Sequence, residues 1–264
     1  MFRNKPILIE GMFVLIEREE VKGLEQWSNE LERRRMPAVV MVSEGVIDSK
    51  CNLIKTLSEK GFEIGGYSSK RPFWDEPYDY QYEEMSRIKD KIESFIARSV
   101  RILNSNNFAY DENTLKVADK LGIEFVFGRG IAGAKAVTYK PDEFNVKIIS
   151  VSNVPSKSMG TGSLCDYSLW ARGESPDDLR NILLGLNEEK IVLVSHTHIG
   201  GVKLHWWNVY QDFLDTNIVT WKSLDEFVNN PIILPNAQIP LNTEVQYRIP
   251  KPRIPLDQEP NLST

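Results

Sequence analysis

All three histidines of the chain lie within one short segment, SHTHIGGVKLH, residues 195–205. His196 and His198 are two positions apart, so they lie on the same side of an extended segment, and this HxH spacing is typical of metal-ligand pairs. The motif is weak without a defined carboxylate partner. Two interpretations stay open: a zinc site formed by His196, His198 and Glu17, or histidines that bind no metal and line a groove or lie in loops.

A second segment combines aromatic and cationic side chains. In GFEIGGYSSKRP, residues 61–72, a strand-like pattern ends near Tyr67, and Arg71 and Trp74 follow within a few positions. Aromatic faces and planar guanidinium groups suit sugar rings and anionic groups, and loops at strand ends often carry such side chains. Core packing is the alternative for any single tryptophan. Further aromatic candidates for the same groove are Phe73, Trp170, Trp206 and Trp207.

The composition excludes several classes of protein. The chain has 264 residues, a net charge of −5 and no basic block, so nucleic-acid binding is not expected. Cys51 and Cys165 are far apart and give neither a disulfide framework nor a CxxC motif. No stretch approaches the about 20 uncharged apolar residues of a membrane span. The N-terminus begins basic and turns apolar, but Glu10 interrupts the run, so we expect a cytoplasmic protein, with export as the alternative. The composition indicates no oligomeric state.

Short apolar segments alternate with amphipathic ones along the chain, which predicts parallel βαβ units with functional loops at the carboxyl ends of the strands. The predicted strands are 6–16, 37–43, 62–66, 123–128, 146–151, 190–195 and 217–221. The predicted helices are 19–35, 48–61, 80–99, 111–122, 175–187, 204–216 and 223–230. Asp111 is the expected N-cap of its helix and Gly122 its end. Residues 231–264 are rich in proline and predict a C-terminal extension, wrapped on residues 1–230 or loose.

These segments resemble the polysaccharide deacetylase domain, also known as the NodB-homology domain or carbohydrate esterase family 4. In that family a first strand ends in TFDDG, and a helix, an ATFF-like strand and a second helix lead to GHEIGxHTxxHP. PAVVMV and GFEIGGYSSKRP stand at the corresponding places here, and the spacing puts TFDDG on LIERE, residues 15–19, without a gap. The segments YEEMSRIKDKIES, DENTLKVADKLGIEFVFG and KIVLVSHTH extend the resemblance over residues 6–230. The resemblance implies an α/β fold, a distorted (β/α) barrel of about seven units.

The resemblance also implies that the family's metal ligands are replaced. The first Asp of TFDDG, the family's general base, corresponds to Glu17, and the second Asp, a metal ligand, corresponds to Arg18. The two metal-binding histidines correspond to Tyr67 and Arg71. Arginine stays protonated and cannot coordinate a divalent ion, and two guanidinium groups would repel one. We therefore expect no metal cofactor, with zinc at the HxH histidines as the alternative.

The remaining motifs of the family are matched unevenly. The catalytic acid of the fifth motif corresponds to His196, and the fourth motif resembles CDYSLW, with Asp166 and Trp170 as the matching residues. The arginine of the third motif is matched by Arg101 or by no residue. These correspondences imply that Glu17 and His196 are what remains of the catalytic pair.

Two functions follow from the resemblance. The first is a deacetylase-like protein that has lost the metal site and is impaired or inactive on N-acetyl sugars, while retaining a groove for an N-acetylated or anionic saccharide or for a partner. The alternative is an active hydrolase of C–N bonds with Glu17 as base and His196 as acid, in which an arginine stabilises the oxyanion. The predicted groove residues are Arg18, Tyr67, Arg71, Trp74, Asp166, Trp170 and His198.

Overall fold

The computed structural model describes residues 8–18, 23–129, 138–156, 160–234 and 255–262. The strands are β1 (Ile9–Glu17), β2 (Val39–Ser43), β3 (Glu63–Ser68), β4 (Ile102–Ser105), β5 (Phe125–Arg129), β6 (Thr138–Pro141), β7 (Lys147–Val151), β8 (Asn153–Ser156), β9 (Gly160–Ser163), β10 (Lys190–His196), β11 (Val219–Trp221) and β12 (Ile232–Leu234). The helices are α1 (Gly23–Arg34), α2 (Glu44–Glu59), α3 (Tyr78–Glu93), α4 (Glu112–Lys120), α5 (Asp166–Ala171), α6 (Pro176–Leu184), α7 (Thr197–Gly200), α8 (Leu204–Asp215) and α9 (Leu224–Phe227).

The strands form one curled sheet in the order β10-β1-β2-β3-β4-β5-β7-β6-β12, with β11 also paired to β1, and β8 and β9 form a separate hairpin. From β10 across to β7 every neighbouring pair is parallel, whereas β6 is antiparallel to β7. Helices connect most of the parallel strands, as parallel crossovers require. The predicted α/β fold, a distorted (β/α) barrel, is confirmed.

Alternation along β1 separates two apolar cores. Met12, Val14 and Ile16 lie in the cluster on the concave side of the sheet. Phe13 and Leu15 lie in the larger cluster, which also contains the apolar faces of the outer helices. Because side chains in a strand alternate between the two faces, each further residue of β1 has a predictable side. The end of β1 therefore sends one side chain to the barrel interior and the next to the helix layer.

The sequence signals at helix ends are borne out. Asp111 caps α4: its carboxylate accepts the Thr114 backbone N–H at 2.9 Å, and the Thr114 hydroxyl accepts the Asp111 N–H. Gly122, with φ of +69°, has the left-handed conformation that commonly follows a helix. Ser175 caps α6 in the same reciprocal way, and Pro176 stands at its first position.

The structure differs from the sequence prediction mainly in short elements. The helix predicted for 80–99 covers 78–93, because the chain turns after Glu93. The strands β4, β6, β8, β9 and β12 have three or four residues each and were not predicted. Periodicity is a weak signal in strands this short. The predicted start of the first helix, at residue 19, lies outside the described residues.

The C-terminal region is partly attached to the barrel. Strand β12 pairs with β6, so residues 232–234 extend the sheet. Further on, residues 255–262 pack beside the start of α8, where the Lys203 Nζ donates to Asn261 Oδ1 at 2.7 Å. Residues 235–254 lie outside the described chain, and the domain boundary at residue 230 stays a prediction. None of the helices described is long and apolar enough to cross a membrane.

Candidate functional site

Parallel strands bring several candidate residues to one edge of the sheet. In the strand registers, His196 at the end of β10 is opposite Ile16 of β1, and Tyr67 of β3 lies between Ser43 of β2 and Asn104 of β4. Arg18 follows β1 at this same edge. This is the carboxyl edge of the barrel, where α/β folds commonly place their functional groups.

Five side chains meet at this edge: Arg18, Tyr67, Tyr167, His196 and His198. We call them the arginine–tyrosine–histidine cluster. The Arg18 guanidinium carbon lies 4.5 Å from the centroid of the Tyr167 ring. The Tyr167 ring is also 4.9 Å from the His196 ring and 6.1 Å from the His198 ring, centroid to centroid. The predicted residues Arg18, Tyr67, His196 and His198 are thus neighbours.

Asp166, at the start of α5, fixes one side of the cluster. Its fully buried carboxylate accepts the backbone N–H of His196 at 2.9 Å, that of Tyr167 at 2.6 Å and the Ser195 hydroxyl at 2.9 Å. Its Oδ1 atom is also 3.3 Å from His196 Nδ1. The Gly200 N–H donates at 3.2 Å, and glycine is needed there because a Cβ at position 200 would lie 2.8 Å from the carboxylate. Asp166 therefore orients His196.

Arg18 gives the cluster a permanent positive charge. Burial, together with neighbouring His196 and Arg18, lowers the pKa of His198 to about 3, so that imidazole is neutral at pH 7. Burial raises the pKa of Tyr67 to about 12, although Arg18 acts in the opposite direction. The Tyr67 phenol therefore stays protonated at neutral pH. Its hydroxyl donates to Asn106 Oδ1 at 2.6 Å.

Glu17 lies on the helix side of the sheet. It continues the alternation that places Leu15 in the helix-facing core, and its side chain is 0% exposed. Its Oε2 atom is 4.0 Å from the Nζ of Lys50 on α2, which also contacts Glu25 at 3.1 Å. A general base must touch the water or substrate that it activates. A catalytic role for Glu17 stays a prediction, and it would require this buried carboxylate to become accessible.

The other predicted groove residues surround the cluster at different depths. Arg71 extends into solvent, 64% exposed, and contacts Glu76 at 3.5 Å and the Tyr80 ring at 5.5 Å. Trp74 is half-buried in the loop between β3 and α3. Trp170 of α5 lies 5.5 Å from Tyr167, ring to ring, and also packs against the helix-facing core.

Several other candidates are structural. Phe73 and Trp206 are buried in the helix-facing core, and Trp207 packs 4.8 Å from the Trp27 ring. Arg101 precedes β4 at the amino edge of the sheet, where it binds Glu63 and Asp225, whereas the arginine–tyrosine–histidine cluster lies at the carboxyl edge. The exposed His205 borders a surface depression of about 440 Å³ between α6, α8 and residues 258–260.

Two buried polar side chains flank Tyr67 in the barrel interior. Ser43 and Asn104 are 1% and 2% exposed, and their side-chain polar atoms make no hydrogen bond within the described residues. Next to them the turn Asn106–Phe108 has positive φ at Asn107 and Phe108, 64° and 54°, which is strained for a bulky residue. Unsatisfied polar groups and backbone strain are features of functional sites more than of structural cores.

The positions aligned with the family's metal ligands do not fit a divalent cation. Arg18 offers donors alone and lies against Tyr167, and Tyr67 holds its phenolic proton. Arg71 is paired with Glu76 in the loop. A different group of possible ligands does converge: Cys165 Sγ, Asp166 Oδ1 and His196 Nδ1 lie within 4.8 Å of one another.

Sequence reasoning missed Tyr167, Cys165 and Asn106. Tyr167 and Cys165 adjoin Asp166 in the segment CDYSLW, so the weak fourth-motif match was a usable signal for both. No sequence signal pointed to Asn106, because its role depends on the turn after β4 that brings its side chain to the Tyr67 hydroxyl.

Comparisons with known proteins agree with this architecture. A family model described as polysaccharide deacetylase matches residues 22–126. A putative polysaccharide deacetylase from Mycobacterium smegmatis has a similar fold, with a TM-score of 0.63, 10% identity and coverage of 85% of this chain and 91% of that one. No curated protein matches the sequence at a significant level.

Two further solved structures share the fold. One is a carbohydrate esterase family 4 pseudoenzyme from Bacillus anthracis, in a mutant form with restored enzymatic activity. The match has a TM-score of 0.60 and 11% identity, and it covers 86% of this chain and 70% of that one. The other is a peptidoglycan N-acetylglucosamine deacetylase. That match has a TM-score of 0.58 and 14% identity, and it covers 85% of this chain and 90% of that one. At such identities the likeness concerns the fold. Residues 22–126 thus carry the sequence pattern of the polysaccharide deacetylase family, on a fold shared with carbohydrate esterase family 4 proteins.

Proposed function

We propose that this chain is a polysaccharide deacetylase-like protein without the family's Asp-His-His metal site. It is impaired or inactive as an N-acetyl-sugar deacetylase and retains a saccharide groove at the carboxyl edge of the barrel. The observation that carries the proposal is the Arg18 guanidinium, 4.5 Å from the Tyr167 ring and beside Tyr67. A permanent cation stands where the resemblance expects a metal-binding aspartate, and it opposes the binding of a second cation.

The chemistry of the cluster supports an anionic or richly hydroxylated saccharide. Arg18 supplies positive charge, Tyr167 an aromatic face, and the neutral His198 an imidazole that can donate or accept a hydrogen bond. The half-buried Trp74 and Trp170 supply stacking surfaces nearby. A pseudoenzyme with the same fold is a precedent for a protein of this architecture without the family's activity.

Two measurements on the wild-type protein test this proposal. We expect no acetate release from chitooligosaccharides or acetylated peptidoglycan fragments. We also expect a change in tryptophan fluorescence on titration with a uronic-acid or N-acetylated oligosaccharide, with about fivefold weaker binding for Trp74→Ala, which corresponds to a stacking energy of about 1 kcal/mol. Acetate release by the wild type would overturn the inactivity. A flat titration across a broad glycan panel would overturn the groove.

The alternative function, hydrolysis of C–N bonds in acetylated sugars, is favoured by one observation. The Asp166–His196 pair, with 3.3 Å between Oδ1 and Nδ1, is an arrangement that orients an imidazole for proton transfer. In this alternative Glu17 is the base, His196 the acid, and either no metal takes part or one is relocated to His196 and His198. Acetate release that is lost in both Glu17→Gln and His196→Ala would establish it. If the Glu17→Gln variant still releases acetate, Glu17 is not the catalytic base.

A further inference from the structure

Cys165, Asp166 and His196 direct three different donor atoms at one point. Cys165 Sγ lies 3.3 Å from His196 Nδ1 and 3.8 Å from Asp166 Oδ1, and the Nδ1 and Oδ1 atoms are 3.3 Å apart. All three residues are at least nine-tenths buried. We propose that Cys165, Asp166 and His196 form a zinc site that is distinct from the family's metal position and that uses His196 but not His198 of the HxH pair.

The spacing of the donors fits tetrahedral zinc. Zinc binds sulfur at about 2.3 Å and imidazole nitrogen or carboxylate oxygen at about 2.0–2.2 Å, so ligand atoms in a tetrahedral site are about 3.4–3.6 Å apart. The three observed separations, from 3.3 to 3.8 Å, bracket that range. The three donor atoms are thus already spaced like the ligands of one ion, and Asp166 Oδ1 would have to share or give up the hydrogen bonds that it accepts from the Tyr167 N–H at 2.6 Å and the His196 N–H at 2.9 Å.

The backbone around the site is held firmly. Residue Cys165 forms a parallel bridge with Val194, so the segment that enters α5 is paired with β10 two residues before His196. The Asp166 carboxylate is held by the backbone N–H groups of His196 and Gly200 and by the Ser195 hydroxyl. Such hydrogen bonds to a ligating carboxylate orient it and increase metal affinity.

The donor set also selects the ion. Thiolate and imidazole favour zinc or cobalt, whereas magnesium and calcium require oxygen ligands. The thiolate and the carboxylate together balance the double positive charge of the ion, and the Cys165 proton is released to solvent as the metal binds. The ion would tie the start of α5 to the end of β10 and so fix the His196 ring. This inference does not depend on saccharide binding.

The same contacts would exist without metal if His196 Nδ1–H simply donated to Asp166, so the test must report a metal–sulfur bond. The metal-free full-length chain is titrated with Co²⁺ and followed by absorption. We expect one equivalent to produce a thiolate-to-cobalt charge-transfer band, which zinc then removes by displacement. Cys165→Ser should abolish the band, and Cys51→Ser, the matched control at the chain's other cysteine, should keep it.

Two further variants define the ligands. Asp166→Asn should weaken cobalt binding by at least about tenfold, as loss of a charged ligand predicts. His198→Ala should keep the charge-transfer band, because this imidazole is not one of the three ligands. A folded wild-type protein that gives no charge-transfer band overturns the proposal, as does a band that survives Cys165→Ser or disappears in Cys51→Ser. Cobalt bound without a thiolate band would place the ion elsewhere and overturn it as well.

Discussion

The Arg18 guanidinium carbon lies 4.5 Å from the centroid of the Tyr167 ring, at the carboxyl edge of the barrel. A planar guanidinium over an aromatic face is stabilised by a cation–π interaction and loses less conformational freedom when it binds a ligand. Arg18 directly follows β1 and Tyr167 lies in α5, and these two elements are far apart in sequence. The stack therefore links the end of the first strand to the start of α5, which carries Asp166.

Arg18→Gln should reduce affinity for an anionic oligosaccharide by about tenfold and leave affinity for a neutral one within about threefold, because it removes one charge–charge contact worth roughly 1–2 kcal/mol. Isothermal titration at low and high salt measures this, and the wild-type advantage should shrink as salt rises. Arg71→Gln is the matched control, since Arg71 is solvent-exposed and paired with Glu76. Equal losses in both variants would contradict a specific role for Arg18.

Much of the fold could be predicted because its signals are local. Helices such as α4 are predicted by the N-cap residue Asp111 and by a glycine after the last turn. Buried parallel strands such as β2 are predicted by short runs of apolar residues. Strand β12 was not predicted, because it lies in a proline-rich segment and its place is set by pairing with β6. Register and pairing partner are properties of the tertiary structure.

The candidate site was predicted in part. The strand ends were located well enough for Arg18, Tyr67 and His196 to be expected together, and Arg18 and Tyr67 interact directly. Spacing alone could not show that Glu17 alternates into the helix layer beside Lys50, since a one-residue shift reverses the side on which a strand residue lies. The contact between Cys165 and His196 joins residues 31 positions apart, and no sequence pattern encodes it.

Asp166→Asn should destabilise the protein by about 2–3 kcal/mol, because the asparagine amide cannot accept all the N–H and O–H donors that now face the carboxylate. In the presence of a chelator the melting temperature should fall by roughly 5–10 °C. Asp212→Asn is the control: Asp212 is exposed and pairs with Arg180 at the surface, so its loss should change stability by less than about 1 kcal/mol. Equal melting temperatures for the two variants would show that Asp166 has no special structural role.

Lys50→Met should destabilise the chain by about 3 kcal/mol, because it removes a cation 4.0 Å from the fully buried Glu17 carboxylate. Adding Glu17→Gln should recover at least about half of that loss, since the second change removes the buried charge. A double-mutant cycle from urea unfolding measures the coupling between the two residues. Simple additivity of the two substitutions would show that the Glu17 carboxylate is stabilised by other groups.

Arg101 gives the amino edge of the barrel a pH-dependent contact. Its hydrogen bonds hold the pKa of Asp225 below the ordinary value of 3.8, so the folded state favours the ionised carboxylate. A carboxyl group whose pKa is lower in the folded state than in the unfolded state stabilises the fold. That stability is fully present above about pH 4 and is lost as the pH falls through the folded-state pKa. Asp225→Asn should therefore be less stable than wild type at pH 7, and the difference should vanish as the pH falls through the folded-state pKa of Asp225. The difference should be small and salt-sensitive because Asp225 is mostly exposed. A difference that grows on acidification would reverse the assigned sign.

The correspondence between this chain and the deacetylase motifs can be tested by rebuilding the metal site. Arg18→Asp, Tyr67→His and Arg71→His together would provide one carboxylate and two imidazoles, the ligand set of a catalytic zinc site, and would remove two cations. The variant should be made in a Cys165→Ser background, so that zinc binding at the site proposed above does not contribute. Added zinc should then raise the melting temperature by several degrees, since a ligand that binds only the folded state stabilises it.

The double variant Arg18→Asp, Tyr67→His separates the contribution of position 71. Arg71 is 64% exposed and contacts Glu76, so its loop must shift for a histidine there to reach the other two ligands. If the loop shifts, the triple variant responds to zinc and the double variant responds weakly, because two ligands beside a remaining arginine form a poor site. If the folded triple variant is indifferent to zinc, either positions 18, 67 and 71 do not converge or the residues that should orient them as ligands have changed, and added zinc with the double variant as reference distinguishes the first case. In that case the motif correspondence fails at residue 71, and the Arg18–Tyr67 contact is a feature of this chain with no metal-binding ancestor at that position.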